Sequence, residues 1–350
     1  MRALVSEGPE RVALCEVATL RPGPGEVLVR VLVALTCATD FKLAKRGHPK
    51  FPFPLTLGHE FAGVVEAAGS GAPFAPGERV TSAVSGPCGA CDDCRRGREN
   101  HCAIAFEKPL FGAFADFLLV PELIVKNGLR RIPAGLSDEA AALLDPLASV
   151  VHALNRGKAQ GGDVLIVGTG PIAAMMFFLL RGKEGSAAER RIVVAGRRPE
   201  RLVFFEGMRA EVARMVGSSR DPGAEAPPPL FTFKENLSSS FSLILDTTGD
   251  ASVISELPAL AVNGGTVLLF AGMPEGSRIV VDAFALHYRE VSITGSFHYT
   301  PRDVDAALAL LVEGAIPVSS LVEERRGLAQ WREAFDLVGR GAAMKVALVP

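Results

Sequence analysis

VLIVGTGPIAAMMFFLL, Val164 to Leu180, is an unbroken-looking apolar run that decides how the chain is read. Its length falls slightly short of a bilayer span, and Gly168-Thr169-Gly170-Pro171 interrupts it. The stretch therefore reads as a strand, a tight turn and a buried helix. GTGPIA, Gly168 to Ala173, has the spacing of a dinucleotide-binding turn, and its strand-before, helix-after context gives that spacing weight. Gly168 permits the tight turn and Gly170 lets the backbone approach a pyrophosphate. Pro171 and Ile172 open a helix whose first N–H groups face the phosphates. Ala173 fills the third position, where the fingerprint allows Gly or Ala.

Outward from this turn, strands alternate with helices as a doubly wound parallel sheet requires. The expected strands are VLIVG (164–168), RIVVAG (191–196), FSLILDTTG (241–249), GTVLLFAG (265–272) and EVSITGSF (290–297). DVDAALALLVEGAI (303–316) reads as a helix and AAMKVALVP as a last strand. A long polar segment (182–190) and a Pro-rich loop (221–230) separate these elements, and 204–236 gives no clean third strand. Upstream, residues 1 to about 150 read as short strands and turns, with EVLVRVLVAL (26–35), EFAGVVEAAG (60–69) and GAFADFLLVP (112–121) the clearest. LSDEAAALL (136–144) reads as a helix capped by Ser137, and Pro146 restarts a second helix to Gly157.

The end of the second strand of such a sheet selects between nicotinamide cofactors. NAD needs an acid there for its ribose 2′-hydroxyl. This chain has Gly196, Arg197 and Arg198 instead, and two guanidinium groups suit a 2′-phosphate. NADP(H) is therefore expected over NAD(H).

Size and composition bound the rest. A chain of 350 residues, 48% apolar, is long enough for two domains with sizeable cores. A net charge of -2 and no long basic run give no reason to expect nucleic acid or an anionic membrane as partner. The start, MRALVSEGPERVAL, carries charges within its apolar stretch and does not read as a secretion signal. The expected compartment is the cytoplasm, where disulfides are rare.

Four of the six cysteines fall at Cys88, Cys91, Cys94 and Cys102, spaced C-x2-C-x2-C-x7-C, with glycines at 86, 89 and 97. Four thiolates on such a loop point to a closed structural zinc site, which leaves no position for substrate. A C-x-x-C redox pair would be expected beside a βαβ unit, and here the flanks are loop. Chemistry must lie elsewhere. Cys37 in LTCATDFKL, His59 and Glu60 in LTLGHEFAGVV, and Asp145 in LLDPLASVVHAL supply a thiolate, an imidazole and carboxylates. Such a set holds zinc and leaves a position open. Taken singly, each has a plainer reading: a buried small hydrophobe for Cys37, a core histidine for His59, a helix cap for Asp145.

C-A-T-D, then G-H-E before a strand, the four-cysteine lobe, D-P-L-A and GTGPIA, in this order, resemble the medium-chain zinc-dependent alcohol and polyol dehydrogenases, in particular the sorbitol- and threonine-dehydrogenase branch. The resemblance covers nearly the whole chain. It implies a GroES-like β-rich catalytic domain, a Rossmann domain inserted into it, an active site in the cleft between them and a C-terminus returning to the first. The matching domains here are 1–150 (catalytic, with the zinc lobe), 151–287 (Rossmann, NADP(H)-binding) and 288–350 (completing the Rossmann sheet and returning). It implies two Zn2+ per chain: a catalytic one at Cys37, His59 and Asp145, with Glu60 able to approach, and a structural one at the four cysteines. Asp40 matches the acid that orients the ligand histidine. Thr39 matches the hydroxyl that passes the substrate proton. Thr247, Thr248, Gly249, Ala271 and Gly272 match positions along the nicotinamide.

The implied reaction is hydride transfer between the nicotinamide and a secondary alcohol or ketone, such as a polyol, cyclitol, sugar derivative or amino alcohol, by a homodimer or homotetramer. Asp145 replaces the branch's usual Glu and is one methylene shorter. Lys42 sits where many relatives place a relay histidine. His298, Tyr299, His48 and Lys45 are candidate substrate contacts, and Arg46 and Lys50 add positive charge that makes a phosphorylated or acidic substrate worth testing. Three alternatives stand beside this reading: a zinc-free enone or quinone reductase of the same superfamily, a non-catalytic NADP(H)-binding sensor, and a zinc-ribbon nucleic-acid module.

Overall fold

The Gly168 turn follows the central strand of a seven-stranded sheet. A computed structural model describes residues 1–48, 51–158, 161–182, 190–217, 231–233, 237 and 241–350. Lys50, most of the polar segment (182–190) and the Pro-rich loop (221–230) lie outside the described residues. The chain divides into two units, Met1–Ser149 with His298–Pro350, and Val150–Phe297.

In the second unit the strand Asp163–Val167 pairs in parallel with Ile192–Gly196 on one side and Phe241–Asp246 on the other. Ala261–Leu269 and Ser292–Gly295 continue one flank in parallel, and Glu211–Gly217 continues the other, closed by the antiparallel Phe231–Phe233. The sheet is doubly wound, as expected from the alternating pattern. Central strands read as apolar runs because both faces are covered: Val164, Leu165, Ile166 and Val167 are all fully buried. Glu211–Gly217 is the third strand that the sequence did not announce. Its inner residues, Ala213 and Met215, alternate with exposed Arg214 and Val216, the pattern of a strand near a sheet edge. The helix after the turn, Pro171–Arg181, buries Ala173, Ala174, Met175, Met176 and Phe177, which explains its near-uniform apolar composition.

The first unit is antiparallel for the most part. Val27–Leu35 pairs with Glu60–Ala68, Phe117–Val120 and the final strand Lys345–Val349. Arg79–Ser82 and Leu129–Arg131 extend the sheet, and Val322–Gly327 lies parallel to the final strand at the other edge. Its core packs Leu4, Val29, Phe61, Phe114, Val346 and Leu348. Ser137 caps Asp138–Ala142, its hydroxyl accepting from the Ala140 N–H at 3.2 Å. The next helix, Leu144–Gly157, starts two residues before Pro146, so Asp145 lies within its first turn rather than ahead of it. Pro146 is tolerated there because first-turn N–H groups have no helical partner. No described helix is long and apolar enough to cross a membrane.

The final strand brings a buried charge with it. Lys345 is 3% exposed at its side chain and Glu60 1%, and Nζ lies 2.5 Å from Oε2. The same Nζ donates to the Thr36 carbonyl at 3.1 Å. Removing one partner of such a pair strands an uncompensated charge. In chelator-treated protein, Lys345→Met is expected to lower stability by about 3–5 kcal/mol. Adding Glu60→Gln should restore most of it, and an unaltered loss in the double variant, read by denaturant unfolding, would contradict this. Ser137→Ala is expected to cost about 1 kcal/mol by the same measurement.

Candidate metal centres and cofactor turn

Cys37 stands at the end of the loop after Val27–Leu35 and immediately before the helix Ala38–Arg46, and His59 and Glu60 stand at the entry to Glu60–Ala68. These positions meet because Leu35 and Glu60 are register partners in the antiparallel pair. Ligand atoms of Cys37, His59 and Glu60 all lie within 4.8 Å of one another. Asp40, fully buried in the first turn after Cys37, accepts from the Gly58 N–H at 2.9 Å and from His59 Nδ1 at 3.2 Å through the same Oδ1. That bond leaves His59 Nε2 for a metal, the usual division of labour in a ligating histidine. Gly58 has φ of +91°, and a Cβ there would meet the Phe114 backbone nitrogen at 2.5 Å, so the residue before the histidine has to be glycine.

The electrostatics call for a further positive charge. Burial pushes His59 down, but Asp40 and Cys37 outweigh it and hold the imidazole well above its ordinary value. Burial pushes the Glu60 carboxyl up, against the pull of Lys345 and His59 and with Asp145 adding to the rise. Burial lowers Lys345, but Glu60, Cys37 and Asp40 together raise it above its ordinary value. Glu60 Oε1 and Asp40 Oδ2 are buried without a hydrogen-bond partner. A thiolate, an imidazole nitrogen and an unpartnered carboxylate oxygen within one small volume fit a zinc ion.

Asp145 stands outside that group. Its Oδ1 accepts from the Val84 N–H at 2.9 Å and from the Tyr299 hydroxyl. Burial and then the Asp145 carboxylate push the Tyr299 phenol well above its ordinary value. His298, beside it, meets the Ser85 hydroxyl at 2.5 Å and stacks on Tyr299. Of the other residues singled out in the sequence, Thr39 and Lys42 are exposed, as are Lys45 and Arg46, and His48 stacks on Phe51. Lys345, Thr36 and Ser85 escaped the sequence reading. Only Lys345 had a signal, a lone charge inside an apolar last strand.

The four-cysteine loop forms a second group, with Cys88, Cys91, Cys94 and Cys102 sulfurs within 4.8 Å of one another and all unoxidised. The N–H groups of Ala90 and Cys91 donate to Cys88 Sγ, and that of Cys88 to Cys102 Sγ. The first two pull the Cys88 thiol down to about 6. Burial, then the neighbouring sulfurs, push Cys94 up to about 12. One acidic thiol among crowded sulfurs fits a tetrahedral cation, which would take all four as thiolates. Gly89 and Gly97 turn the loop, each with φ of +71°.

In the second unit, Gly168 has φ of +119°, and a Cβ there would meet Thr247 Oγ1 at 2.1 Å. A Cβ on Gly170 would meet nothing within 4 Å, so the backbone is open to a ligand at that point. No side chain caps the helix that starts at Pro171. Its first N–H groups, Ile172's among them, have no helical partner and fit a pyrophosphate. Gly196 ends the second strand, and Arg197 and Arg198 follow it, both exposed. Asp246, buried at the end of its strand, accepts from the N–H groups of Thr248 and Gly249 and from the Thr248 hydroxyl. Gly249 packs on Ala271 and Gly272: its Cβ would come within 3.2 Å of the one and 3.0 Å of the other.

Comparison with known proteins agrees with both halves of this picture. Residues 23–128 match the alcohol dehydrogenase GroES-like domain. The L-threonine 3-dehydrogenase of Deinococcus radiodurans is 28% identical over 99% of this chain and 97% of its own length. Alcohol dehydrogenase TADH from Thermus sp. ATN1 superposes with a TM-score of 0.83 at 29% identity, covering 100% of this chain and 99% of that one. A protein described as a zinc-binding dehydrogenase from Sinorhizobium meliloti 1021, solved bound to NADP, gives 0.81 at 27% identity over 100% and 99%. Residues 23–128 thus carry the alcohol dehydrogenase GroES-like domain, and over its whole length the chain is similar to threonine dehydrogenases and zinc-dependent alcohol dehydrogenases.

Proposed function

We propose that the protein is a zinc-dependent oxidoreductase that moves a hydride between NADP(H), favoured over NAD(H), and a secondary alcohol or its ketone. The observation that carries this is the convergence of Cys37, His59 and Glu60, whose buried Oε1 has no hydrogen-bond partner. Amino alcohols lead the substrate classes, because threonine dehydrogenases are among the relatives. Polyols, cyclitols and sugar derivatives follow. Arg197 and Arg198 support the NADP(H) preference. The reading carries with it a cytoplasmic homodimer or homotetramer that acts on a small molecule, with a second zinc in the four-cysteine lobe.

When bound, the catalytic zinc supplies a Lewis acid for the alcohol or carbonyl oxygen and the nicotinamide supplies the hydride carrier. The chain's residues do the rest. Asp40 fixes the orientation of His59 and keeps a proton on Nδ1. Lys345 holds one Glu60 oxygen and leaves the other without a hydrogen-bond partner. Thr39, exposed two residues after Cys37, passes the substrate proton outward in this reading. Asp145, held by Tyr299 and the Val84 N–H, adds negative charge near Glu60 and stands as the further ligand or as a partner for substrate.

A screen of amino alcohols, polyols and cyclitols with NADP+ and NAD+ tests the reading. Cys37→Ala is expected to lower turnover on the best substrate by roughly a hundredfold or more. Its cofactor dissociation constant should stay within about threefold, since Cys37 and the Gly168 turn belong to different units. Full turnover in the variant would contradict the mechanism.

A further inference from the structure

Residues 196–198 hold no carboxylate for the ribose 2′-hydroxyl, but the structure brings one from another element. Parallel pairing sets Ile192–Gly196 and Phe241–Asp246 on either side of Asp163–Val167, so all three strands end beside the Gly168 turn. Both flanking ends press on that turn: a Cβ on Gly196 would meet Thr169 Cγ2 at 2.4 Å, and one on Gly168 would meet Thr247 Oγ1 at 2.1 Å. From these two ends Arg197 and Asp250 reach each other, with Nη1 3.9 Å from Oδ2.

Asp250 is held in place from two directions. The buried Asp246 carboxylate accepts from the Thr248 hydroxyl at 2.5 Å, and that hydroxyl accepts from the Asp250 N–H at 3.2 Å. Asp250 Oδ1 accepts from the Ser252 N–H at 3.1 Å and from the Ser252 hydroxyl at 2.6 Å. One oxygen therefore caps the following helix while the other is turned toward Arg197. The side chain is 34% exposed, so this second oxygen faces the same solvent-open space as the guanidinium.

We propose that Asp250 is a specificity-determining residue of the cofactor site: it accepts from the ribose 2′-hydroxyl of NAD(H) and repels the 2′-phosphate of NADP(H). This rests on the reading that places Arg197 at the 2′-position. A guanidinium alone would select the phosphate strongly. A carboxylate in ion-pair range of it offsets part of that attraction and restores the acceptor that NAD(H) needs. The site then takes both cofactors, with NADP(H) ahead by a modest margin rather than alone.

Calorimetric dissociation constants for NADP+ and NAD+ in the full protein test this without any turnover. Asn caps a helix about as well as Asp, so Asp250→Asn keeps the fold. The variant is expected to bind NADP+ about tenfold more tightly and NAD+ about tenfold more weakly. A change of both in the same direction, which a purely structural role would produce, or no change in either, overturns the proposal. Arg197→Ala separates it from the reading beneath it. Weaker NADP+ binding with NAD+ little changed supports Arg197 at the 2′-phosphate. Unchanged NADP+ binding overturns that placement and this proposal with it.

Discussion

Three acidic side chains and one imidazole share a buried volume in the first unit, and that volume needs positive charge. Cys37 and Asp40 arrive there from the start of the helix that follows Val27–Leu35, and Glu60 from the start of that strand's antiparallel partner. Glu60 and Asp40 are almost wholly removed from water. Carboxylates in that position are tolerated only when paired. Lys345 supplies one charge from the far end of the chain, and the raised His59 and the two unpartnered oxygens show that more is wanted. A divalent ion answers that need with the ligand types present. The same need explains why the last strand must return to the first sheet: without Lys345 the Glu60 carboxylate would be stranded.

The second unit solves a different problem with less charge. In the proposed reading a pyrophosphate would be met mainly by backbone, so its recognition would rest on Gly168, Gly170 and a helix start. Neighbouring strands would then contribute what touches the sugar and ring. The Asp246 carboxylate organises one such loop, tying Thr248 and Gly249 into a fixed turn that carries Asp250. Burial raises the Asp246 carboxyl, and the loop's hydrogen bonds oppose the rise. A buried acid is thus used as an anchor for backbone.

What the sequence disclosed and what it withheld follow from the range of the interactions. The cysteine lobe and GTGPIA are local: spacing along the chain nearly determines spacing in space, so both were legible. The central strands showed as apolar runs because both faces are covered, while Glu211–Gly217 near the edge alternates and carries charge. Cys37, His59 and Glu60 could be nominated from their motifs, but their meeting depends on a strand register that no local pattern encodes. Asp145 illustrates the limit: its chemistry as a carboxylate was plain, while its partner Tyr299 lies 154 residues away. Lys345 and the Arg197–Asp250 pair were hidden for the same reason, each joining residues distant in the chain.

The claim that two metal groups exist, one made by Cys37, His59 and Glu60 and one by the four cysteines, is tested most directly by zinc content. Elemental analysis of protein purified without chelator should find close to two zinc ions per chain, and close to one in Cys37→Ser. One zinc ion in both proteins, unchanged after added zinc, would contradict the account and leave the buried cluster around Glu60 as a structural ion pair.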